Sequence, residues 1–315
     1  MSRRRAVLGL VLVVLTAATA AAGGPPVKPL VLPRTPRVLV FAPHPDDETL
    51  AAGGLIARLV RQRAAVRVAF ITNGDGWPWA AQEEFSRKKP TDEDYVALGE
   101  LRQREALAAT RQLGLKQHDV SFLGFPDGGL AELWRDHWSR AAPYTSPFTK
   151  EDQSPYAGTV SPDAEYDGQD LTSVITRLLR DMRPNVVVIP HPYDTHLDHA
   201  HTGYFVTEAL YALQARHVLR PNVMVLTYLV HNPVWPPALH GVQEPMVPPS
   251  IHRVPDTIWK QIVLSREEFS AKTSALSAYH SQIEASADFL HRFLRPNELF
   301  GLVKSKLLGR IAATH

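Results

Sequence analysis

The sequence predicts an α/β fold in which a mainly parallel sheet lies between two layers of helices. Apolar, β-branched runs recur along the chain and are near-continuous, as in strands buried on both faces. Helical patterns separate these runs, and 315 residues can hold one large α/β domain or two smaller ones. The chain is 44% hydrophobic and 21% charged, which argues against disorder, collagen-like repeats and multiple membrane spans.

The N-terminus differs in composition from the rest of the chain. Three arginines at 3–5 precede an apolar run over residues 6–15, and alanine-rich sequence follows, so a secretory signal peptide is predicted at 1–22. We therefore expect export to the periplasm, cell envelope or extracellular space. An uncleaved N-terminal membrane anchor is the alternative, because the apolar stretch nearly reaches the roughly 20 residues that span a bilayer. Removing the leader changes the formal net charge from +2 to −1, so no nucleic-acid partner is expected.

The remaining elements follow in a regular order. A proline-rich tether or strap is expected at 23–36, a single domain at 37–300 and a C-terminal tail at 301–315. Strands and helices alternate in the domain, with strands predicted at 38–41, 66–71, 120–123, 186–189 and 223–229, and helices at 48–63, 95–113, 171–182 and 198–216.

Three further segments interrupt or follow this alternation. Long connections at 77–94 and 131–167 are rich in Trp, Tyr, Pro and charge, and loops of this length are usually lids or binding walls. The segment 265–294 has an amphipathic helical pattern. We read it as a helical extension of the same domain.

Two polar clusters follow the first and fourth predicted strands. The first is Pro43-His44-Pro45-Asp46-Asp47-Glu48, and the second spans 191–201 with four His and two Asp. In a doubly wound sheet of order 3-2-1-4-5, strands 1 and 4 are neighbours and leave a crevice at their carboxyl ends. The two clusters are therefore expected to face each other across that crevice.

These residue types predict a catalytic metal site. The chain has no cysteine, so a metal must use His and carboxylate ligands, and zinc in a catalytic site takes three such ligands and keeps a position for water. His44 and Asp47 can supply two ligands, but the pattern alone does not choose among His196, His199 and His201. Asp47 or its neighbour could instead only cap a helix.

The same residues resemble the PIG-L/LmbE-like deacetylases, which remove acetyl from N-acetylglucosamine groups in glycolipid anchors, mycothiol precursors and related glycoconjugates. The family motif His-Pro-Asp-Asp-Glu matches 44–48, and His-x-Asp-His matches 196–199 with Leu197 where proline is common. Shorter matches lie at 72–75, 102–105, 125–128 and 280–282. The resemblance covers most of the chain after the leader and implies a three-layer, Rossmann-like fold.

The resemblance also implies a set of roles around the metal. Zinc, or iron in its place, would be held by His44, Asp47 and His199. Asp46 would be the general base that takes the proton of the attacking water, although a helix cap is the simpler interpretation of an acid at this position. His196 would donate to the oxyanion or the leaving amine, and Asp198 would orient or tune His196.

For the sugar, the resemblance points to Arg102 and Asp127 as hydroxyl-binding groups. A surface ion pair with Glu105 and a turn before Gly128 are their simpler interpretations. Tryptophans at 77, 79, 134 and 138 could stack on sugar rings, but core or lid packing explains them equally well.

The function implied is metal-dependent hydrolysis of the N-acetyl amide of an N-acetylglucosamine-type sugar, which releases acetate and a free amine. Phosphoester hydrolysis by the same ligands is one alternative, although two-metal phosphatases usually need bridging carboxylates. An exported carbohydrate-binding or metal-sequestering protein without turnover is another. The chain contains no G-x-S-x-G, Walker loop, G-x-G-x-x-G or H-E-x-x-H, which argues against the enzyme classes those motifs mark.

Overall fold

The computed structural model describes residues 27–239, 244–250 and 254–303, so the predicted leader lies outside the described residues. The strands in these ranges are β1 (Lys28–Pro29), β2 (Arg37–Ala42), β3 (Ala65–Thr72), β4 (Val120–Phe125), β5 (Val186–Pro190), β6 (Met224–Tyr228), β7 (Thr257–Val263) and β8 (Asn297–Val303). The helices are α1 (Asp47–Arg61), α2 (Pro78–Phe85), α3 (Asp92–Gln112), α4 (Leu130–Arg135), α5 (Gly168–Met182), α6 (Leu197–Ala215), α7 (Arg266–Leu276) and α8 (His280–His291).

The strands form one open sheet in the order β1-β7-β8-β6-β5-β2-β3-β4. The run from β6 to β4 is parallel throughout and contains the five predicted strands in the predicted order. The α/β fold class is thus confirmed. β8 runs antiparallel to both β6 and β7, so the sheet is mixed at this end.

The central strands are buried on both faces, as their near-continuous apolar runs predict. Val38 and Val40 of β2 pack on the side of α1, together with the C-terminal helices. Leu39 and Phe41, which alternate with them, pack on the side of α5 and α6. Because successive side chains of a strand point to opposite faces, one strand contributes to both cores and the sheet becomes the middle of three layers.

Several boundaries differ from the sequence prediction. The connection 77–94 is not all loop, because it contains α2 and the start of α3, which Thr91 caps by accepting from the Asp94 N–H. The segment 265–294 is helical, as predicted, and its helical residues fall in two helices, α7 and α8.

The sheet also extends beyond the predicted strands at both ends of the chain. β1 lies in the predicted tether and pairs with β7, and β8 crosses the boundary predicted at residue 300. The mostly part-exposed β7 lacks the continuous apolar run of a central strand, which is why the pattern did not reveal it. Across the described ranges, no helix is both long and apolar enough to cross a membrane.

Candidate metal centre and active site

The two polar clusters meet at the carboxyl edge of the sheet. His44 follows β2 and the second cluster follows β5, and these two strands are paired neighbours. Each cluster leads directly into a helix, α1 or α6. The expectation that the clusters face each other is confirmed, because parallel neighbouring strands release their following loops at the same edge.

Three side-chain atoms form a nearly equilateral triangle at this edge. His44 Nδ1 and Asp47 Oδ2 lie 3.2 Å apart, His199 Nε2 and Asp47 Oδ2 lie 3.2 Å apart, and the two ring nitrogens lie 3.3 Å apart. Ligand atoms bound tetrahedrally at roughly 2.0–2.2 Å would stand about 3.3–3.6 Å from one another. All three residues are buried, so the structure contains a possible metal site with one carboxylate and two imidazoles.

The ring nitrogens that point away from the triangle face carboxylates. His199 Nδ1 lies 3.3 Å from Asp194 Oδ2. His44 Nε2 lies 3.0 Å from Asp127 Oδ1 and 3.3 Å from Asp198 Oδ2. Carboxylates in this position fix the orientation of metal-binding histidines and raise their basicity.

The surrounding carboxylates make the triangle favourable for positive charge. Burial alone would lower the pKa of His199, but Asp47 and Asp194 raise it to about 10. Burial would likewise lower the pKa of His44, yet the charge of Asp127 and its hydrogen bond contribute most to raising it well above the usual value. The pKa of Asp47 is held well below its usual range by the two histidines, although burial opposes this shift. The same field would stabilise a divalent cation.

A second group of potential ligands, His44, His196 and Asp198, shares the His44 ring with the first. The Asp198 carboxylate is already bonded in the protein, since Oδ2 accepts from Gly128 N at 2.7 Å and Oδ1 from Leu130 N at 3.1 Å. The first group is therefore the better candidate. It is also the set implied by the family resemblance.

The structure separates His199 from the other histidines of its cluster. His201 Nδ1 donates to Leu197 O at 2.7 Å, and its ring packs beside Trp134. His191 is fully buried and bonds Thr257 Oγ1 at 2.9 Å, and burial lowers its pKa to about 4.

Asp46 lies beside the triangle and is not one of its members. It occupies the N-cap position of α1 with φ 124°, but its side chain makes no capping hydrogen bond, so the interpretation as a simple helix cap is wrong. Its Oδ2 lies 3.6 Å from Arg102 Nη2. Burial and the charge of Asp47 raise the pKa of Asp46 to about 8, while Arg102 and His44 oppose the shift. Its carboxylate lines the cavity next to the candidate ligands.

His196 is placed to donate a hydrogen bond. Its Nδ1 accepts from the Asp198 backbone N–H at 3.3 Å, so in the neutral ring the proton is assigned to Nε2. Burial, with the charges of His44 and His199, lowers the pKa of His196 to about 4 and keeps the ring neutral. The Asp198 carboxylate contacts His44, and its described hydrogen bond to His196 comes from the backbone. Its orienting role toward His196 remains a prediction.

The two predicted sugar-binding residues make extensive contacts within the protein. Arg102 is buried and donates to Gly74 O at 2.7 Å and to Pro45 O at 2.8 Å. Gly74 has φ +66°, and a Cβ at this position would lie 1.8 Å from Arg102 Nη1. Asp127 accepts from Gly76 N at 2.8 Å in addition to its contact with His44. Both residues line the cavity, and their binding of sugar hydroxyls remains a prediction.

The surface ion pair considered for Arg102 is wrong. Its proposed partner Glu105 is buried and accepts instead from the N–H and hydroxyl of Ser281, at 2.8 and 2.6 Å. These bonds attach the start of α8 to α3.

The candidate site opens into a cavity of about 360 Å³, which is within the size range of small-molecule sites. Its lining includes the polar residues described above. It also includes apolar side chains, among them Trp77 and Phe148 from the two long connections and Phe289 and Leu290 of α8. Trp134 and Trp138 pack against Phe205 instead. Of the tryptophans in the two long connections, Trp77 is the one that lines the cavity.

Sequence reasoning gave no role to Asp194 or His231. Asp194 Oδ2 accepts from Val230 N at 2.9 Å and His231 N at 3.0 Å, so it joins the loop after β6 to His199. The His231 ring lines the cavity, 4.7 Å from the His199 ring and stacked on Phe289. The position of His231 in the sequence could have revealed it, because it follows β6 by three residues and so lies at the same carboxyl edge of the sheet.

Known proteins resemble the chain in sequence and in fold. A family model described as PIG-L, GlcNAc-PI de-N-acetylase, matches residues 39–210. A 1D-myo-inositol 2-acetamido-2-deoxy-alpha-D-glucopyranoside deacetylase of Mycobacterium sp. (strain KMS) is 32% identical over 188 residues, which are 58% of this chain and 52% of the relative. The chain thus spans about half the length of the curated relatives it matches.

Solved structures share the fold at lower identity. A deacetylase in the biosynthesis pathway of teicoplanin is 18% identical, with a TM-score of 0.52 over 84% of this chain and 96% of its own. A 4-carboxy-2-hydroxymuconate hydratase of Pseudomonas putida KT2440 is 16% identical, with a TM-score of 0.51 over 82% of both chains. Because a hydratase and a deacetylase both match, the fold alone does not determine the reaction.

Proposed function

Because the chain belongs to the PIG-L family, we propose that it is a metal-dependent N-deacetylase acting on an N-acetylglucosamine-type sugar or glycoconjugate. The observation that carries the proposal is the triangle of His44, Asp47 and His199 with Asp46 beside it. A binding site alone has no need of a carboxylate next to the metal that is not a ligand. The products would be acetate and a free amine.

The metal proposed is zinc, with ferrous iron as the alternative. Two imidazoles and one carboxylate at the observed spacing match the ligand set of catalytic zinc sites. An ion bound there would supply a Lewis acid and lower the pKa of water. Nothing in the donor set excludes iron, because imidazole and carboxylate bind both metals.

Asp46 would accept the proton of the attacking water. Asp46 lines the cavity, and Arg102 at 3.6 Å opposes the rise in its pKa that burial causes, so it favours the ionised form that a base requires. Arg102 also holds the backbone of the same turn through Pro45 O, so it fixes the position of the base. A second arginine contact, to Gly74 O, ties this turn to the loop after β3.

His196 would stabilise the oxyanion of the tetrahedral intermediate. Its Nε2–H is the free donor of a neutral ring, and the ring lies 4.8 Å from the His44 ring between centroids. A neutral imidazole that donates this N–H can stabilise the negative charge that develops on the oxyanion. Collapse of the intermediate would return the proton held by Asp46 to the leaving amine.

Support for a sugar substrate comes from the relatives and from the cavity. The relative described above is named for an acetamido-deoxyglucose joined to inositol. Trp77, Phe148 and Phe289 line the cavity, and aromatic rings are the side chains that stack on sugars. Since Phe289 lies outside the region matched by the family model, substrate preference is expected to differ among members.

We further propose that the protein is exported. The charge and apolar pattern of residues 1–22 supports this, and an N-terminal anchor is the alternative. N-terminal sequencing of the protein from envelope and extracellular fractions tests it. A first residue near Gly23 supports cleavage, whereas an intact leader in the membrane fraction supports anchoring.

The activity is tested by acetate release from free N-acetylglucosamine, N-acetylated oligosaccharides and N-acetylated glycolipids, with and without chelator. Release that chelator abolishes and added zinc or ferrous iron restores supports the proposal and identifies the metal. A phosphoester substrate serves as the comparison, because cleavage of that substrate alone would favour the phosphoesterase. Sugar and metal binding without acetate release would favour a binding protein.

A further inference from the structure

A second cavity lies at the opposite edge of the sheet from the active site. It is a groove of about 860 Å³, lined by residues 33–37, 62–65, 183–185, 218–220 and 222–223. These segments meet at the amino ends of β2, β3, β5 and β6. Because the active-site residues follow the carboxyl ends of the strands, a ligand in the groove would not contact them.

The groove is strongly cationic. Five arginines line it, and no Asp or Glu does: Arg34, Arg37, Arg63, Arg183 and Arg220. All five are exposed, and none is in an ion pair with a carboxylate in the described ranges. Several arginines elsewhere are paired, including Arg140 with Asp170.

General basicity of the chain does not account for this concentration. The formal net charge is only +2, and three positive charges lie in the leader. Helix dipoles explain part of it, since Arg63 and Arg183 follow the carboxyl ends of α1 and α5, where cations are favourable. The Arg37 guanidinium also lies at the end of α5, where it donates to Met182 O. Arg34 and Arg220 are not at helix ends, so their convergence with the other three arginines remains to be explained.

Polar groups between the arginines give the groove a fixed shape. Asn185 Oδ1 accepts from Arg37 N at 2.8 Å, and Asn185 Nδ2 donates to Thr35 O at 2.9 Å. These bonds attach the segment before β2 to the start of β5. The backbone next to Arg34 is thereby fixed at the amino edge of the sheet.

We propose that this groove binds a multiply charged oxyanion, of the phosphoryl class. Guanidinium groups bind phosphate oxygens through paired N–H donors, and several unpaired arginines in one concavity repel one another until an anion is present. The phosphoryl group could belong to a soluble phosphate compound or to a phospholipid headgroup.

The test compares the full-length protein with Arg34→Gln/Arg220→Gln, which removes two charges whose side chains make no described hydrogen bond. The control Arg104→Gln/Arg111→Gln removes two exposed charges from α3, outside the groove. Binding of inorganic pyrophosphate is measured by calorimetry. Binding to phosphatidylglycerol–phosphatidylcholine vesicles is measured as the excess over phosphatidylcholine vesicles. All three proteins carry the same leader with its three arginines, so a difference between them reports on the groove.

The groove variant is expected to bind at least ten-fold more weakly than the control, and higher salt should weaken wild-type binding. Pyrophosphate binding that the groove variant loses would indicate a soluble ligand, and an excess on anionic vesicles alone that the groove variant loses would indicate a headgroup. The proposal is overturned if the wild type binds neither probe, or if both variants bind equally. Acetate release is expected to be the same in all three proteins, so the result is independent of the proposed enzyme activity.

Discussion

Removal of the Tyr279 hydroxyl is expected to weaken both the fold and the active site. Tyr279 and Glu48 are fully buried, and the hydroxyl donates to Glu48 Oε1 at 2.7 Å. Glu48 Oε2 in turn accepts from the backbone N–H of Asp46 at 3.3 Å. Asp46 has a positive φ of 124°, which is unfavourable for any residue but glycine, so this contact helps to hold a strained backbone at the proposed base.

The magnitude follows from the charge of the acceptor. Tyr279→Phe keeps the ring and its packing and removes one hydrogen bond to a buried carboxylate, which costs about 1.5–3 kcal/mol when the group is ionised. At the roughly 2–4 °C per kcal/mol typical of large domains, the Tm should fall by about 3–12 °C. Loss of support for Asp46 should lower kcat for acetate release more than it changes KM.

The stability loss is expected to depend on pH. Burial raises the pKa of Glu48 to about 7 from the usual 4.5, although bonds from Thr49 and Tyr279 oppose the shift. A raised carboxyl pKa means that the folded state favours the protonated acid, and this stabilisation is lost as the pH rises through about 7. The deficit of Tyr279→Phe should therefore be larger at pH 8, where Glu48 is ionised, than at pH 5.

Thermal and urea unfolding at both pH values, together with kcat and KM, measure these effects. Tyr211→Phe on α6 is the matched control, because this tyrosine is half-buried and lies away from the site. A Tyr279→Phe protein as stable as the control at pH 8 would refute the assigned hydrogen bond. A stability loss with unchanged kcat would refute the positioning of Asp46.

Four other substitutions test the site and the core. Asp46→Asn should lower acetate release about 100- to 10,000-fold with metal content unchanged, and full activity with bound metal would remove its role as base. His196→Gln should lower kcat about 100- to 1,000-fold, and an effect confined to KM would contradict oxyanion stabilisation. Asp194→Asn should weaken metal binding about 10- to 100-fold in a chelator competition, and an unchanged affinity would contradict the role of Asp194 in supporting His199. Lys272→Met should lower the free energy of unfolding in urea by about 3–5 kcal/mol, because Glu298, 2.8 Å from the ammonium, would keep a buried unpaired charge; a change below 1 kcal/mol would contradict this.

The central sheet was predictable because its physical signal is local. Strands buried on both faces need near-continuous apolar runs, and the five runs of that kind all became strands. The facing of the two polar clusters also followed, since topology alone brings the ends of β2 and β5 together. The strands β7 and β8 were missed, because β7 is largely part-exposed and the polar Asn297 and Glu298 of β8 are buried through specific hydrogen bonds.

The contribution of the C-terminal helices to the site could not be predicted for a related reason. Glu48 and Tyr279 are 231 residues apart in sequence, and no periodic pattern encodes a contact of that range. The same holds for His231 and Phe289, whose stacking depends on how α8 packs over the loop after β6. Side chains from the C-terminal helices therefore enter the site only through tertiary packing.

The sequence by itself determined the chemistry available to this protein: histidines and carboxylates but no thiol, gathered at two strand ends that must lie side by side. It could not choose by spacing among His196, His199 and His201. Residues two apart on a helix point about 200° away from each other, so His199 and His201 cannot both face the crevice. Which of them does is decided by how α6 packs on the sheet, and that packing places His199 against Asp47 and turns His201 toward Trp134.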